Sequence, residues 1–261
     1  MKKVILLLGL LLFSCSKDGG QDKQTFTLTV SAGEGGRVDT SGGTYSEGTS
    51  VTLTAIPNSE YIFSNWSGTE NSTSNPLELN ILNNEDITAN FSRDNPLYLA
   101  ENGVTIKAKD WADIGDQGEI NGIIYTIVSN ETIRVNSINV CTSRVTEMYE
   151  LFYQNSSFNE DISSWDVSNV TDMNYMFYQA ESFNQDISQW DVSNVTNMGT
   201  MFGGASSFNQ NLSVWNVDNV MRCYAFCSGT NWSSPKPAFK NNCIDQTAGG
   251  TTPLLPSLGC N

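Results

Sequence analysis

Residues 170–194 read VTDMNYMFYQAESFNQDISQWDVSN, and the chain writes this line four times. Copies begin at Val145, Val170, Val195 and Val220, a period of 25 residues. The copy before matches at 17 of 25 positions and the copy after at 14, which chance does not produce, so this repeat decides the fold. The fourth copy keeps its first half and then degrades, as the terminal unit of a stacked array should.

Within each copy the apolar period changes. Val195, Met198, Phe202 and Ala205 fall at i, i+3, i+7 and i+10, one face of a short helix. Ile187-x-x-Trp190-x-Val192-x-x-Val195 has the spacing L-x-x-L-x-L-x-x-N of a leucine-rich-repeat strand, with Val in the Asn slot. Each unit is therefore expected to supply one strand and one helix, neither able to bury its apolar face alone. Stacking should lay Trp165, Trp190 and Trp215 over one another, with Phe158, Phe183 and Phe208 beside them.

If Trp and Val point inward along the strand, the alternate residues point out. That outward ladder is Ser164, Asp166 and Ser168, then Gln189, Asp191 and Ser193, then Val214, Asn216 and Asp218, and it is the candidate ligand face. It is small, polar and acidic, without the aromatic or Arg anchors that dominate hot spots. One-to-one affinity should be weak, and multivalency on a cell surface would compensate. The plain alternative is a solvated exterior.

Residues 142–232 closely resemble the BspA-like leucine-rich repeat family of bacterial surface proteins, through M-F-x-x-A-x-x-F-N-x-D-I-S-x-W-D-V-S-N-V-T. The resemblance covers about a third of the chain. It implies extracellular display and, for some members, adhesion to host or matrix proteins, without naming a ligand. Residues 25–93 are different. Phe26–Val30, Val51–Ala55, Leu77–Ile81 and Ile87–Phe91 alternate apolar and polar residues between Gly-rich turns, which reads as a small antiparallel β-module. The string G-x-Y-x-x-G-T-x-V-T-L-T-A-x-P from Gly43 to Pro57, followed by Phe63-x-x-Trp66-Ser-Gly, is similar to the divergent internalin-type B-repeat, usually a stalk or spacer. Residues 94–141 read as a connecting segment and N-terminal cap, and residues 233–261 as a C-terminal cap and tail. The expected fold class is thus multidomain: the antiparallel β-module, then a short α/β leucine-rich-repeat-like solenoid over 142–232, capped at both ends.

At the start, Lys2 and Lys3 precede an apolar run from Val4 to Phe13. Ten residues are too few to span a bilayer but fit a signal-peptide core. Leu12-Phe13-Ser14-Cys15 resembles the lipobox of bacterial lipoproteins, which implies removal of residues 1–14, a lipid on Cys15 and a flexible tether over 15–24. An ordinary signal peptide followed by a disulfide cysteine is the alternative. The following polar stretch weakly resembles the export tag of surface lipoproteins, so the expected location is the outer membrane, lipid-anchored, facing outward.

The charge is −15, with 28 acidic residues, 13 basic ones and no His; losing residues 1–14 removes two Lys and no acid. No basic surface is available to displace counterions from nucleic acid. Without His, the commonest general base and every Ser-His-Asp or Cys-His arrangement are missing. The repeat acids recur in register, Asp161 with Asp186 and Asp166 with Asp191, so they serve the rung and no catalytic residue is assigned. Turn-capping explains them more simply than calcium, and no metal or cofactor is expected.

Besides Cys15 there are five cysteines. Cys223 and Cys227 take the slots of Met198 and Phe202 and should face the core. A disulfide to Cys243 would staple the C-terminal cap, stabilising by roughly 3 kcal/mol. Cys223–Cys243 is the favoured pair, partly because caps of the resembled family often carry one. Zinc is the sharper alternative. These features suggest a binding protein for a protein or matrix partner. A glycan-binding lipoprotein using Trp66, Tyr61 or Trp232 is the second reading, and an envelope spacer the third. An exposed planar Trp or Tyr pair would favour glycan; a flat polar sheet face would favour protein.

Overall fold

A computed structural model describes residues 23–240. The expected signal segment 1–14, the lipid-bearing Cys15 and the staple residue Cys243 lie outside the described residues. The chain divides into two compact units, 1–94 and 95–261.

The first unit holds eight strands: β1 (Thr25–Ala32), β2 (Gly36–Val38), β3 (Gly42–Ser46), β4 (Thr49–Leu53), β5 (Ala55–Pro57), β6 (Tyr61–Gly68), β7 (Leu77–Ile81) and β8 (Glu85–Arg93). The main sheet runs β3-β1-β8-β6, and β2-β5 and β4-β7 form two smaller ribbons. The expected purely antiparallel module is corrected: β1 and β8 pair in parallel, Val30 opposite Ile87, because the chain must pass over the ribbons before returning beside β1. Alternation works as read. Leu77, Leu79 and Ile81 are buried while Glu78 and Asn80 are exposed, and they close over Leu28, Leu53, Trp66 and Ile87.

The second unit begins with β9 (Leu97–Leu99), β10 (Ile106–Ala108), β11 (Gln117–Ile120) and β12 (Ile123–Ile127), then a 3-10 turn (Thr132–Arg134) and β13 (Val140–Cys141). β10 reaches the first repeat copy, where Ile106 N donates to Ser164 O. Val128, Ile133 and Val140 join the repeat core, so this segment lies over the first rung.

The α/β leucine-rich-repeat expectation is overturned. Among the described residues there is no α-helix, and the 25-residue copies hold neither helix nor strand. They are rungs of consecutive four-residue turns. In the second copy Met176 N bonds to Met173 O, Tyr178 N to Tyr175 O and Ala180 N to Phe177 O. The third residue of every other turn has positive φ: Glu150 and Gln154, Tyr175 and Gln179, Thr200 and Gly204, Ala225 and Gly229. Such residues cannot continue a right-handed helix. Yet Met173 and Met176, and Phe177 and Ala180, the first and last residues of alternate turns, are all buried. Inward side chains thus recur at i, i+3, i+4 and i+7, the spacing of a helical face. The supposed strand is also bent, with Trp190 N bonded to Ile187 O and Val195 N to Val192 O.

Rungs are joined by a ladder that skips alternate residues. Met148, Glu150, Phe152 and Gln154 donate to Asp172, Asn174, Met176 and Tyr178 of the next rung. Met173, Tyr175, Phe177 and Gln179 repeat this toward Asn197, Gly199, Met201 and Gly203. Isolated parallel bridges align Glu147, Asp172, Asn197 and Arg222. Inside, the expected stacks form: Trp165–Trp190 and Trp190–Trp215 centroids are both 6.4 Å apart and nearly parallel, and Phe158–Phe183–Phe208 step by 5.7 and 5.6 Å. Trp190 and Trp215 also donate across a rung, to Ile162 O and Ile187 O. The last Asn of the motif does the same, with Asn169, Asn194 and Asn219 donating to Ser143, Ser168 and Ser193 carbonyls.

Candidate binding faces of the repeat

The nine residues of the sequence-predicted face do not form one surface. In the first rung Asp166 is buried, only 4% exposed, with Ser164 and Ser168 half-buried. Its carboxylate accepts from Ser143 Oγ and Ser168 Oγ, both at 2.6 Å, and lies 3.6 Å from Lys107 Nζ of β10. In the second rung Gln189 and Asp191 are exposed and Ser193 is half-buried; in the third Val214, Asn216 and Asp218 are all exposed. The acids and their Asn replacements share one local task. Asp166, Asp191 and Asn216 each accept the main-chain N–H two residues on, capping a turn. Asp161, Asp186 and Asn211 do likewise. Among the described residues no group of three or more His, Cys, Asp or Glu is placed to hold a metal ion.

Where β9 and β10 meet this face, a pocket of about 230 Å³ opens, walled by Glu101, Asn102, Lys107, Asp166, Gln189 and Asp191. Its one cation already faces Asp166. Of the aromatics expected for a glycan, Trp66 is wholly buried and donates to Ser74 O, and Trp232 is buried and donates to Gln210 O. Tyr61 is half-buried. None offers an open ring.

Another aromatic surface lies on the turn side of the rungs. Tyr149 and Tyr153 are 39% and 40% exposed, and Tyr175, Tyr178 and Tyr224 are half-buried. Tyr153 and Tyr178 stack at 5.1 Å and 17°, one rung apart. Tyr175 stands edge-on to both, at 6.1 and 5.5 Å. Tyr224 Oη donates to Asn174 Oδ1 at 3.3 Å, reaching back two rungs. Burial first, then a hydrogen bond with Tyr175, pushes the Tyr224 phenol up. Tyr149 Oη donates to Glu150 Oε1 at 2.6 Å, and that bond pushes its phenol up to about 12. Amides and acids edge the strip: Gln154 Nε2 donates to Gln179 Oε1, and Asn197 Nδ2 to Asp172 Oδ2. The sequence signal was available, since these tyrosines fill the slots between inward Met and Phe, but a helical reading scatters them around a cylinder.

Cys141 is a free, buried thiol whose Sγ faces Ile106 O and Ser143 Oγ; burial pushes its pKa up. Cys223 and Cys227 are buried in the last rung, as their slots imply.

Residues 26–95 match the family described as "Divergent InlB B-repeat domain". Residues 124–237 match the family described as "Mycoplasma protein of unknown function, DUF285". Neither match spans half of the chain, and together they fit a surface-associated repeat protein. The leucine-rich-repeat resemblance is not among the matches. No curated protein and no solved structure matches the chain.

Proposed function

We propose that the chain is an adhesion protein of the cell surface, held by a lipid on Cys15, in which the β-module acts as spacer and the repeat unit engages an extracellular protein or matrix partner. The observation that carries this reading is the rung ladder itself. Its bonds recur at one offset through four copies, so exposed side chains stand in fixed rows, a preorganised surface of the kind multivalent contacts use. The recurrent acids are engaged in capping turns, which leaves them no evident reaction to perform. A Cys223–Cys243 bond belongs to the same proposal, because it would close the apolar end beyond the fourth rung.

Protease shaving of intact cells, with detection of the 145–219 segment, tests the reading. Loss of the segment from intact cells is expected. Protection until the outer membrane is permeabilised would place the protein in the periplasm and overturn surface adhesion.

A further inference from the structure

We propose that Tyr149 and Tyr153, with the carboxylates of Glu147 and Asp172 beside them, form a docking surface for an extended, arginine-bearing segment of a partner protein. Each guanidinium lies on the open side of a tyrosine ring and donates to a neighbouring carboxylate. The proposal rests on the reading of a protein partner above and names that partner's chemistry.

The first rung supplies the rings. Tyr149 and Tyr153 follow the buried residues Met148 and Phe152, so both turn outward on the same edge. They are 39% and 40% exposed, while Tyr175 and Tyr178 of the next rung are half-buried beneath them. Tyr178 stacks on one face of Tyr153 and Tyr175 meets it edge-on; no other ring packs on Tyr153 among the described residues. Tyr149 is held by its bond to Glu150. Large rings fixed by their neighbours yet this open are anchors of the kind that dominate protein interfaces, and their rotamers are set before a partner arrives.

The carboxylates select what docks. An isolated parallel bridge sets Glu147 beside Asp172, and like charges directly opposite each other on neighbouring chains repel. Further along the row the charge is answered: Asn197 Nδ2 donates to Asp172 Oδ2, and Arg222 follows Asn197. The Glu147 side chain has no such partner among the described residues. Arg134, the cation at this edge, already donates to Tyr149 O. A cation brought in by a partner removes the repulsion between Glu147 and Asp172. Arginine suits the place better than lysine, because its flat guanidinium stacks on a phenol while its N–H groups reach a carboxylate. A polyproline segment would also stack, but Pro has no N–H to give the acids. Sulfated or phosphorylated chains are repelled by a chain of net charge −15.

The test is fluorescence anisotropy of the full-length protein in neutral detergent, with a fluorescein-labelled octapeptide that alternates arginine and glycine. The same peptide with lysine, citrulline or glutamate in place of arginine supplies the comparison. The arginine peptide is expected to bind, the lysine peptide more weakly, and the citrulline and glutamate peptides not at all. Tyr153→Ala and Glu147→Gln should each weaken binding about threefold, and Tyr149→Ala/Tyr153→Ala about tenfold, while Tyr153→Phe, which keeps the ring, retains it. Glu78→Gln, the same change of charge on an exposed residue of β7, should leave binding unchanged. If the double tyrosine variant melts early, Tyr153→Ala alone carries the comparison. No binding of the arginine peptide by protein with an intact melting transition would overturn the proposal. So would equal losses in Glu147→Gln and Glu78→Gln, binding indifferent to the tyrosine variants, or tyrosine-dependent binding of the citrulline peptide. The peptide measurement does not depend on where the cell places the protein, and shaving does not depend on arginine, so the two readings fail separately.

Discussion

Tyr224 lays its ring over Gly199, the residue that occupies its own position one repeat earlier: a Cβ on Gly199 would collide with the ring edge at Cε1. The equivalent residues in the first two rungs are Tyr149 and Asn174, so only the third rung is bare there. Gly199→Ala should therefore lift Tyr224, break its bond to Asn174 and cost about 2 kcal/mol by overpacking. Adding Tyr224→Ala should recover part of that loss. A double-mutant cycle by urea unfolding checks it, and simple additivity would mean that the two residues do not bear on each other.

Asp166 and Asp191 are the same letter of the motif in different surroundings. Asp166→Ala should cost about 3 kcal/mol, because it strips Ser143, Ser168 and Lys107 of a buried partner. Asp191→Ala, at an exposed turn cap, should cost about 0.5 kcal/mol. Equal losses in thermal melts would mean that β9 and β10 do not cover the first rung in solution.

Gln154 is exposed and holds φ at +54°. Its equivalents in the third and fourth rungs are Gly204 and Gly229, which bear such a conformation without a Cβ penalty. Gln154→Gly should stabilise by about 1 kcal/mol, and Gly204→Gln should destabilise by a similar amount. A fall in melting temperature for Gln154→Gly would show that its bond to Gln179 outweighs the strain.

The Tyr149 phenol, pushed up to about 12 by its bond to Glu150, holds its proton more tightly in the folded chain than at the ordinary value of 10. Its contribution to stability is complete below pH 10 and is lost as pH rises through about 12. Ultraviolet titration should show this tyrosine ionising late, and Glu150→Gln should bring it forward. A titration insensitive to Glu150 would remove the bond from the account.

Cys141 should be silent toward thiol reagents at neutral pH, since its sulfur is buried and its ionisation is pushed upward. Modification should appear with unfolding. Rapid labelling of the native chain at this residue would place β13 at the surface.

Much of the interior was legible because it depends only on what recurs. Trp165, Trp190 and Trp215 stack, and so do their phenylalanine neighbours, since identical residues at a fixed period must meet when rungs superpose. Backbone conformation was not legible. Met173, Met176, Phe177 and Ala180 keep helical spacing, yet Tyr175 and Gln179 sit at positive φ. Neither residue type advertises that conformation, as Gly204 does. The misreading carried over to the outside, where a helix would have dispersed Tyr153, Tyr175 and Tyr178. The stacked turns gather them. In the first unit, Trp66 is a candidate open ring by sequence, but the structure packs it against Phe63 and buries it in the core.

Because the backbone ladder joins each rung to its neighbours at one offset, copy number is the least constrained property of this repeat. A 25-residue segment inserted in frame at Val170 meets the same donors below and the same acceptors above, so the ladder it interrupts is made again on both of its sides. The match of the first and second copies at 17 of 25 positions is what such duplication would leave behind. The length of the stack and the number of aromatic steps then change together, by recombination within one gene and without redesign of either cap.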